Sequence, residues 1–244
     1  MPDKAALITG GSSGIGLAIA RALGEDGFGV TVAARRAEKL EQAADELREA
    51  GIDTHHVVAN MREEDDIRRM VEEHRERFGR MDVLVNNAGV GIAGSIEGFE
   101  TKKLDMQLDV NLRAVHLTTR ESIPLLKQAG HDGGALIVNT ASIAGKRPQG
   151  FLSVYSATKA AVIALTESMQ QELGGDGVRC TAICPAFVDT PMTDWAKGNV
   201  PPEEMIRPED IAEIVRCLLR LSPAAIVPEV MIVRPQELAS GGAP

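Results

Sequence analysis

Aromatic residues are scarce in this chain, at 3% of 244 residues with one Tyr, one Trp and five Phe. A core of large aromatic plates is thereby excluded, and the position of the lone Tyr becomes informative. Excess positive charge is also lacking. Lys and Arg number 26 against 35 Asp and Glu, a formal net charge of −9. Neither nucleic acid nor an anionic membrane surface would attract such a chain non-specifically. No apolar run reaches the length a bilayer span needs. Met1-Pro2-Asp3-Lys4 leads at once into Ala5-Ala6-Leu7-Ile8, without the basic start, long apolar stretch and cleavage site of a signal peptide. The three cysteines, Cys180, Cys184 and Cys217, fit buried thiols in a reducing compartment rather than a disulfide framework. Cys180 and Cys184 lie four residues apart on one apparent strand, too far to share a metal. The histidines show no zinc spacing, and no metal site is expected. These absences point to a soluble, cytoplasmic protein.

What is present is a regular alternation. Continuous apolar runs at Ala5–Ile8, Gly29–Ala33, His56–Ala59, Asp82–Val85, Ala135–Asn139, Val178–Cys184 and Val230–Val233 predict strands covered on both faces. Between them the period changes to 3.6. Leu40, Ala43, Ala44 and Leu47 form one stripe closed by Gly51, and Ile67, Met70, Val71, His74 and Phe78 another closed by Gly79. Val162, Leu165, Met169 and Leu173 form a third, and Ile211, Val215, Leu218 and Leu219 follow the helix-starting Arg207-Pro208-Glu209-Asp210. Alternation of this kind predicts an α/β fold, a doubly wound parallel sheet of about seven strands with helices on both faces. One domain over residues 1–244 is expected, with a frayed Gly-Gly-Ala-Pro end. Arg68, Arg69, Arg75, Arg77 and Arg80, interleaved with Glu63, Glu64, Glu72, Glu73 and Glu76, read as a solvated helix face with salt-bridge spacing.

Chemistry gathers where the predicted strands end. The first strand runs into Thr9-Gly10-Gly11-Ser12-Ser13-Gly14-Ile15-Gly16 and then into a helical pattern. Glycines permit a tight turn and close approach to a pyrophosphate, which amides at the helix N-terminus would meet. The second strand ends in Ala33-Ala34-Arg35-Arg36, where dinucleotide folds commonly place an acidic residue on the ribose hydroxyls. No carboxylate stands there, and a guanidinium suits the 2′-phosphate of NADP. The alternative is that both arginines simply open an exposed helix. Asn86-Asn87-Ala88-Gly89, Thr140-Ala141-Ser142 and Pro185-Ala186-Phe187-Val188-Asp189-Thr190 close the fourth, fifth and sixth strands, on the edge where open α/β sheets bind ligands. Tyr155 and Lys159 stand i, i+4 at a helix start, which puts phenol and ammonium on one face. A nearby fixed positive charge would favour the phenolate and bring its pKa toward neutrality.

Thr9-Gly10-x-x-x-Gly14-x-Gly16, Asn86-Asn87-Ala88-Gly89, Asn111, Ser142, Tyr155-x-x-x-Lys159 and Pro185-x-x-x-x-Thr190 together resemble the compact, single-domain short-chain dehydrogenase/reductase family. The likeness runs in order over nearly the whole chain and implies a Rossmann fold. It implies Tyr155 as general acid/base between a ketone or aldehyde and an alcohol, with Lys159 lowering its pKa and binding the nicotinamide ribose. Ser142 would hold the substrate oxygen, and Asn111 would maintain a water-linked proton relay behind Lys159. Gly10, Ser12, Ser13, Ile15 and Gly16 would line the diphosphate and adenosine ribose, with Arg35 on the 2′-phosphate. Asn60 and Met61 would bind the cofactor near the adenine, Asn87 its ribose, and Val188 and Thr190 the nicotinamide carboxamide. The cofactor expected is NADP(H), and the assembly a homodimer or homotetramer.

The chain departs from the family pattern in three places. Asn60 replaces the usual Asp, Ala186 replaces the Gly after Pro185, and the ending Ile226–Pro235 lacks the frequent Gly-rich close. That ending is similar instead to a subgroup including NADP-dependent serine and 3-hydroxy acid dehydrogenases. A substrate lid is expected over residues 190–207, holding the apolar Met192, Trp195 and Met205. Two other readings stand beside an NADP-dependent carbonyl reductase or alcohol dehydrogenase. One is a catalytically silent NADP(H)-binding sensor or scaffold. The other, within the enzyme class, is a 3-oxoacyl-carrier-protein reductase.

Overall fold

A computed structural model describes residues 2–198 and 200–239. The expected frayed end, Gly241 to Pro244, lies outside the described residues. Seven parallel strands form one sheet: β1 (Ala5–Thr9), β2 (Gly29–Ala34), β3 (Thr54–Val58), β4 (Val83–Asn86), β5 (Ala135–Thr140), β6 (Val178–Pro185) and β7 (Glu229–Ile232). Their order is β3-β2-β1-β4-β5-β6-β7. The chain builds outward from β1 in one direction, then restarts at β4 and builds in the other. That restart opens a crevice beyond the carboxyl ends of β1 and β4.

The helices are α1 (Gly14–Glu25), α2 (Ala37–Glu49), α3 (Glu64–Phe78), α4 (Thr101–Leu108), α5 (Ala114–His131), α6 (Ser153–Leu173), α7 (Pro208–Arg220) and α8 (Pro235–Ala239). A π-helical turn, Asp109–Arg113, joins α4 to α5. Alternate strand residues serve opposite faces of the sheet. Ala6, Ile8, Val30, Val32, Val83 and Val85 pack with α1, α2 and α7, through side chains such as Ile19, Leu40 and Val215. Leu7, Ala33, Leu84 and Ile137 pack with α3, α5 and α6, through Ile67, Leu126 and Met169. This double coverage explains why the strands read as unbroken apolar runs.

Most polar side chains buried in these layers are paired, although the Thr118 and Ser122 hydroxyls of α5 have no hydrogen-bond partner among the described residues. Asn86 Nδ2 donates to Asn139 Oδ1 at 2.8 Å, and Asn139 Nδ2 to Thr166 Oγ1 at 2.9 Å, linking β4, β5 and α6. His74 is fully buried, with Nδ1 against Thr31 Oγ1 at 2.8 Å and Nε2 against the Arg80 carbonyl at 2.9 Å.

Differences from the sequence expectations are local. β3 begins at Thr54, two residues before the apolar content suggests, because His55 and His56 pair in register with Thr31 and Val32. The solvated face of α3 exists, with Arg68–Glu64 and Arg69–Glu73 pairs at i, i+4. Arg80 is not part of it. Its guanidinium grips buried Asp82 through two bonds of 2.8 and 2.7 Å, and Asp82 also accepts from the Ala5 amide. Cys180 and Cys184 are buried, but Cys217 is exposed on the outer side of α7. Its position falls off the buried Ile211, Val215 and Leu218 stripe.

Candidate active site

The turn from β1 into α1 is shaped by close approaches that only glycine allows. A Cβ on Gly16 would lie 2.5 Å from the Gly10 carbonyl oxygen and 2.6 Å from Asn87 Nδ2. Gly14 has φ +55° and faces the Thr190 methyl, which a Cβ would meet at 2.8 Å. Ser13 occupies the N-cap of α1 without a side-chain capping bond, and the first turn holds no acidic residue. The amides of that turn are thus not satisfied by a side-chain cap, as an anion-binding helix end requires. Ser12 and Ser13 line a neighbouring cleft with Gly14, while Gly10 and Ile15 continue the same turn.

Asn87, just past β4, ties this turn to the sheet. Its Nδ2 donates to the carbonyls of Thr9 and Gly10 at 3.2 and 3.3 Å, and its Oδ1 accepts from Thr140 at 3.3 Å. Arg35 follows β2 as an exposed side chain with no ion-pair partner among the described residues. Beyond β3, Met61 is buried and Asn60 is partly buried, its Oδ1 accepting from the Arg62 amide at 3.3 Å. Val188, past β6, is buried and forms an isolated bridge with Ile206. Thr193 donates to the Val188 carbonyl and forms a reciprocal capping box with Thr190. The candidate cofactor residues therefore follow one another along the carboxyl edge of β1, β2, β3, β4 and β6.

Ser142 follows β5 and caps a short 3-10 turn, its Oγ accepting from the Ala144 amide at 3.1 Å. That leaves the hydroxyl proton free, and Ser142 lines the same cleft as Tyr155, which stands in the first turn of α6. Lys159, one turn on, is buried, its Nζ 5.7 Å from the Tyr155 ring centre and 2.7 Å from the Thr140 carbonyl. Asn111 sits in the π-helical turn, with Oδ1 accepting from Val90 N at 2.8 Å. Its Nδ2 donates to Val90 O at 2.9 Å and to Thr158 at 3.2 Å. Gly89 lies between these groups, and a Cβ there would be 3.4 Å from Asn111 Oδ1 and 3.6 Å from Lys159 Nζ.

Electrostatics at the pair depart from the sequence expectation. Burial pushes the Tyr155 phenol above its ordinary value, against the Ser142 hydroxyl, which draws it down. Burial also lowers Lys159 to about 8. The i, i+4 spacing is as expected, but desolvation outweighs charge attraction, because Lys159 is buried, Tyr155 is half-buried in the apolar cleft wall, and the ammonium is engaged by Thr140. Cys184, close by, is pushed up to about 12 by burial and stays a thiol.

A cleft of about 310 Å³ opens in front of Ser142 and Tyr155, walled by Phe187, Met192 and Trp195. Trp195 stands edge-on to Phe187 with ring centres 6.0 Å apart. Of the three apolar residues expected in a lid, Met192 and Trp195 line the cleft, whereas Met205 is buried outside its lining. The sequence carried no sign of Arg147, the one cation among the described residues that line the cleft, and one without an ion-pair partner among them, whereas Glu237 of the same lining is paired with Arg234. Gln107 was also missed, although it precedes Asn111 by four residues, one helical turn.

A sequence profile described as short chain dehydrogenase matches residues 4–199. An uncharacterized oxidoreductase of Staphylococcus aureus (strain USA300) is 33% identical over 217 residues, 88% of this chain and 90% of that protein. An alcohol dehydrogenase from the archaeon Thermococcus sibiricus, solved with 5-hydroxy-NADP, is 34% identical with a TM-score of 0.85, covering 94% of this chain and 95% of that one. A 3-ketoacyl-(acyl-carrier-protein) reductase from Brucella melitensis, solved with NADH, is 32% identical with a TM-score of 0.86, covering 95% and 96%. Shared sequence over most of the chain and a shared fold place it: this chain is an oxidoreductase of the short-chain dehydrogenase/reductase family.

Proposed function

We propose that the protein is an NADP-dependent carbonyl reductase or alcohol dehydrogenase with Tyr155 as general acid/base. The observation that carries this reading is the placement of Ser142 and Tyr155 together in the lining of one cleft, with buried Lys159 one turn behind. NADP(H), when bound, supplies or accepts the hydride. The residues present suit it: a glycine turn with no room for side chains, a helix end without a side-chain cap, and an unpaired Arg35 where a carboxylate would repel a 2′-phosphate.

In reduction, Ser142 holds the carbonyl oxygen and Tyr155 gives it a proton as negative charge develops there. A phenol with a raised pKa is protonated at neutral pH and ready for that role. Oxidation of an alcohol needs the phenolate and belongs to higher pH. Lys159 presents its ammonium below about pH 8, for the nicotinamide ribose. Asn111 closes the Lys159 side and supports the water-linked relay expected there. Asn60 and Met61 sit at the adenine end, and Val188 and Thr190 at the carboxamide end. The cleft suits a small carbonyl compound. Arg147 favours substrates that also carry an anionic group.

The test is turnover by purified protein on a panel of ketones and oxo acids, with NADPH and NADH compared. Each oxo acid is paired with its methyl ester to read the contribution of Arg147. Tyr155→Phe should lower kcat by about 10²–10⁴-fold with NADPH affinity retained. Near wild-type turnover in that variant would refute the proton-donor role. Tight NADPH binding without turnover anywhere on the panel would favour a silent sensor instead.

A further inference from the structure

The fourteen residues between β4 and α4, 87–100, form no regular element, and four of them are glycine. Such a stretch should be among the most mobile of the molecule, since fixing each backbone residue costs roughly 1–2 kcal/mol of entropy. Instead its middle is pinned at every second residue. Val90 is held through both its N–H and its C=O by Asn111. Ile92 is held the same way by Gln107, whose Oε1 accepts from Ile92 N at 3.1 Å and whose Nε2 donates to Ile92 O at 3.4 Å. Gly94 N donates to the Phe151 carbonyl at 2.8 Å, and Phe151 takes a left-handed φ of 60° there. The residues between the pins, Gly91 and Ala93, are exposed and line the substrate cleft. A Cβ on Gly91 would lie 3.7 Å from the Tyr155 ring, so this wall stands directly beside the phenol.

Gln107 is the unusual member of this set. It is fully buried on α4, and its amide makes no hydrogen bond among the described residues other than the pair to Ile92. Burying an amide in a helix stripe is costly unless it is satisfied. Here both its hydrogen-bonding ends go to one backbone residue of the cleft wall. Asn111 and Gln107, one helical turn apart, thus grip the same strap two residues apart.

We propose that Gln107 is a positioning residue that fixes the substrate-side wall at Gly91 and Ala93, and thereby sets which carbonyl compounds fit beside Tyr155. Its role is separate from that of Asn111, which holds the end of the strap next to Lys159. The inference rests on reading the cleft as the carbonyl site. The strap itself can be tested without any substrate.

The experiment combines amide hydrogen exchange over residues 88–98 with steady-state kinetics on wild type, Gln107→Met and Gln107→Glu. In wild type the Ile92 amide should exchange far more slowly than those of Ser95, Ile96 and Glu97. Gln107→Met fills the same space without polar atoms, so Ile92 should lose its protection while Val90 keeps it. KM for a compact ketone should rise roughly tenfold, the size of a typical net hydrogen-bond loss, with kcat and NADPH affinity little changed. The preference for compact over bulky ketones should shrink with it. Gln107→Glu keeps the acceptor for Ile92 N and should recover part of the amide protection. Free exchange of Ile92 in wild type would overturn the proposal outright, even if the variants fail to fold. So would an unchanged KM in Gln107→Met, or a parallel loss of kcat and NADPH binding, which marks general structural damage. Absence of turnover on every carbonyl by wild type would count against the carbonyl reading, while the exchange data would still decide whether Gln107 holds the strap.

Discussion

Replacing Lys159 by Met tests the site through folding, because the buried ammonium carries a cost that pH can remove. Lys159 is 4% exposed, and burial lowers its pKa from 10.5 to about 8. At about 1.4 kcal/mol per pH unit, this depression sets about 3 kcal/mol against the charged form in the folded state. Below pH 8 both folded and unfolded chains carry the proton, and the full cost is present. Between pH 8 and the ordinary lysine range only the unfolded chain keeps it, so stability rises with pH. Met abolishes this titration. It also leaves the Thr140 carbonyl without the bond it now receives from Nζ at 2.7 Å. That second loss does not depend on pH, so the difference between wild type and variant isolates the first. Urea unfolding from pH 7 to pH 10.5 should show wild type gaining about 2–3 kcal/mol relative to Lys159→Met. NADPH titrations on the same samples should show wild-type affinity falling above about pH 8, a step that the weaker variant lacks. Parallel stability curves would refute the buried, desolvated ammonium, and with it the electrostatic account of the site.

Three further outcomes are expected. Ala34→Asp should turn preference from NADPH toward NADH, since a carboxylate at the end of β2 accepts from ribose hydroxyls and repels a 2′-phosphate. Arg35→Ala should weaken NADPH about ten- to a hundredfold with little gain for NADH, and a wild type that already prefers NADH by kcat/KM would refute the NADP reading. His74, which burial lowers to about 4, stays neutral in the fold while the unfolded chain binds a proton near pH 6.5. Stability should therefore fall as pH drops from 6.5 to 4, and His74→Gln should flatten that decline in thermal melts recorded across the interval.

The elements that were legible are those whose side chains obey one burial rule along their length. The five central strands lie between two helical layers, so apolar runs marked them closely, and the half-exposed edge strands β3 and β7 were still marked to within two residues. α2, α3 and α7 bury one stripe each and showed it as a 3.6 period. The stretch from Thr101 to His131 gave no such signal. Its inward face holds Gln107, Asn111, Thr118, Thr119 and Ser122, all buried, and Pro124 stands inside α5. Polar residues facing inward erase the hydrophobic period, and a proline argues against a helix that tertiary packing nonetheless maintains.

The candidate site divides along the same line. Residue types in a fixed order marked Ser142, Tyr155, Lys159 and the glycine turn, because each depends on local spacing along one element or one strand end. Arg147 and Gln107 depend on what lies across a cleft or behind a loop, which spacing does not encode. Gln107 could have been suspected from its place one turn before Asn111, since a second amide on that helix face must find a partner or stay outside. The direction of the Tyr155 shift was illegible for a related reason. An i, i+4 pair fixes how far apart two groups stand, but the sign of the shift depends on how much water remains between them. Here Lys159 is buried and engaged by Thr140, Tyr155 is half-buried at the cleft, and burial prevails over attraction. Under the proposed reading, a phenol with a raised pKa stays protonated at neutral pH and can give a proton to a carbonyl oxygen.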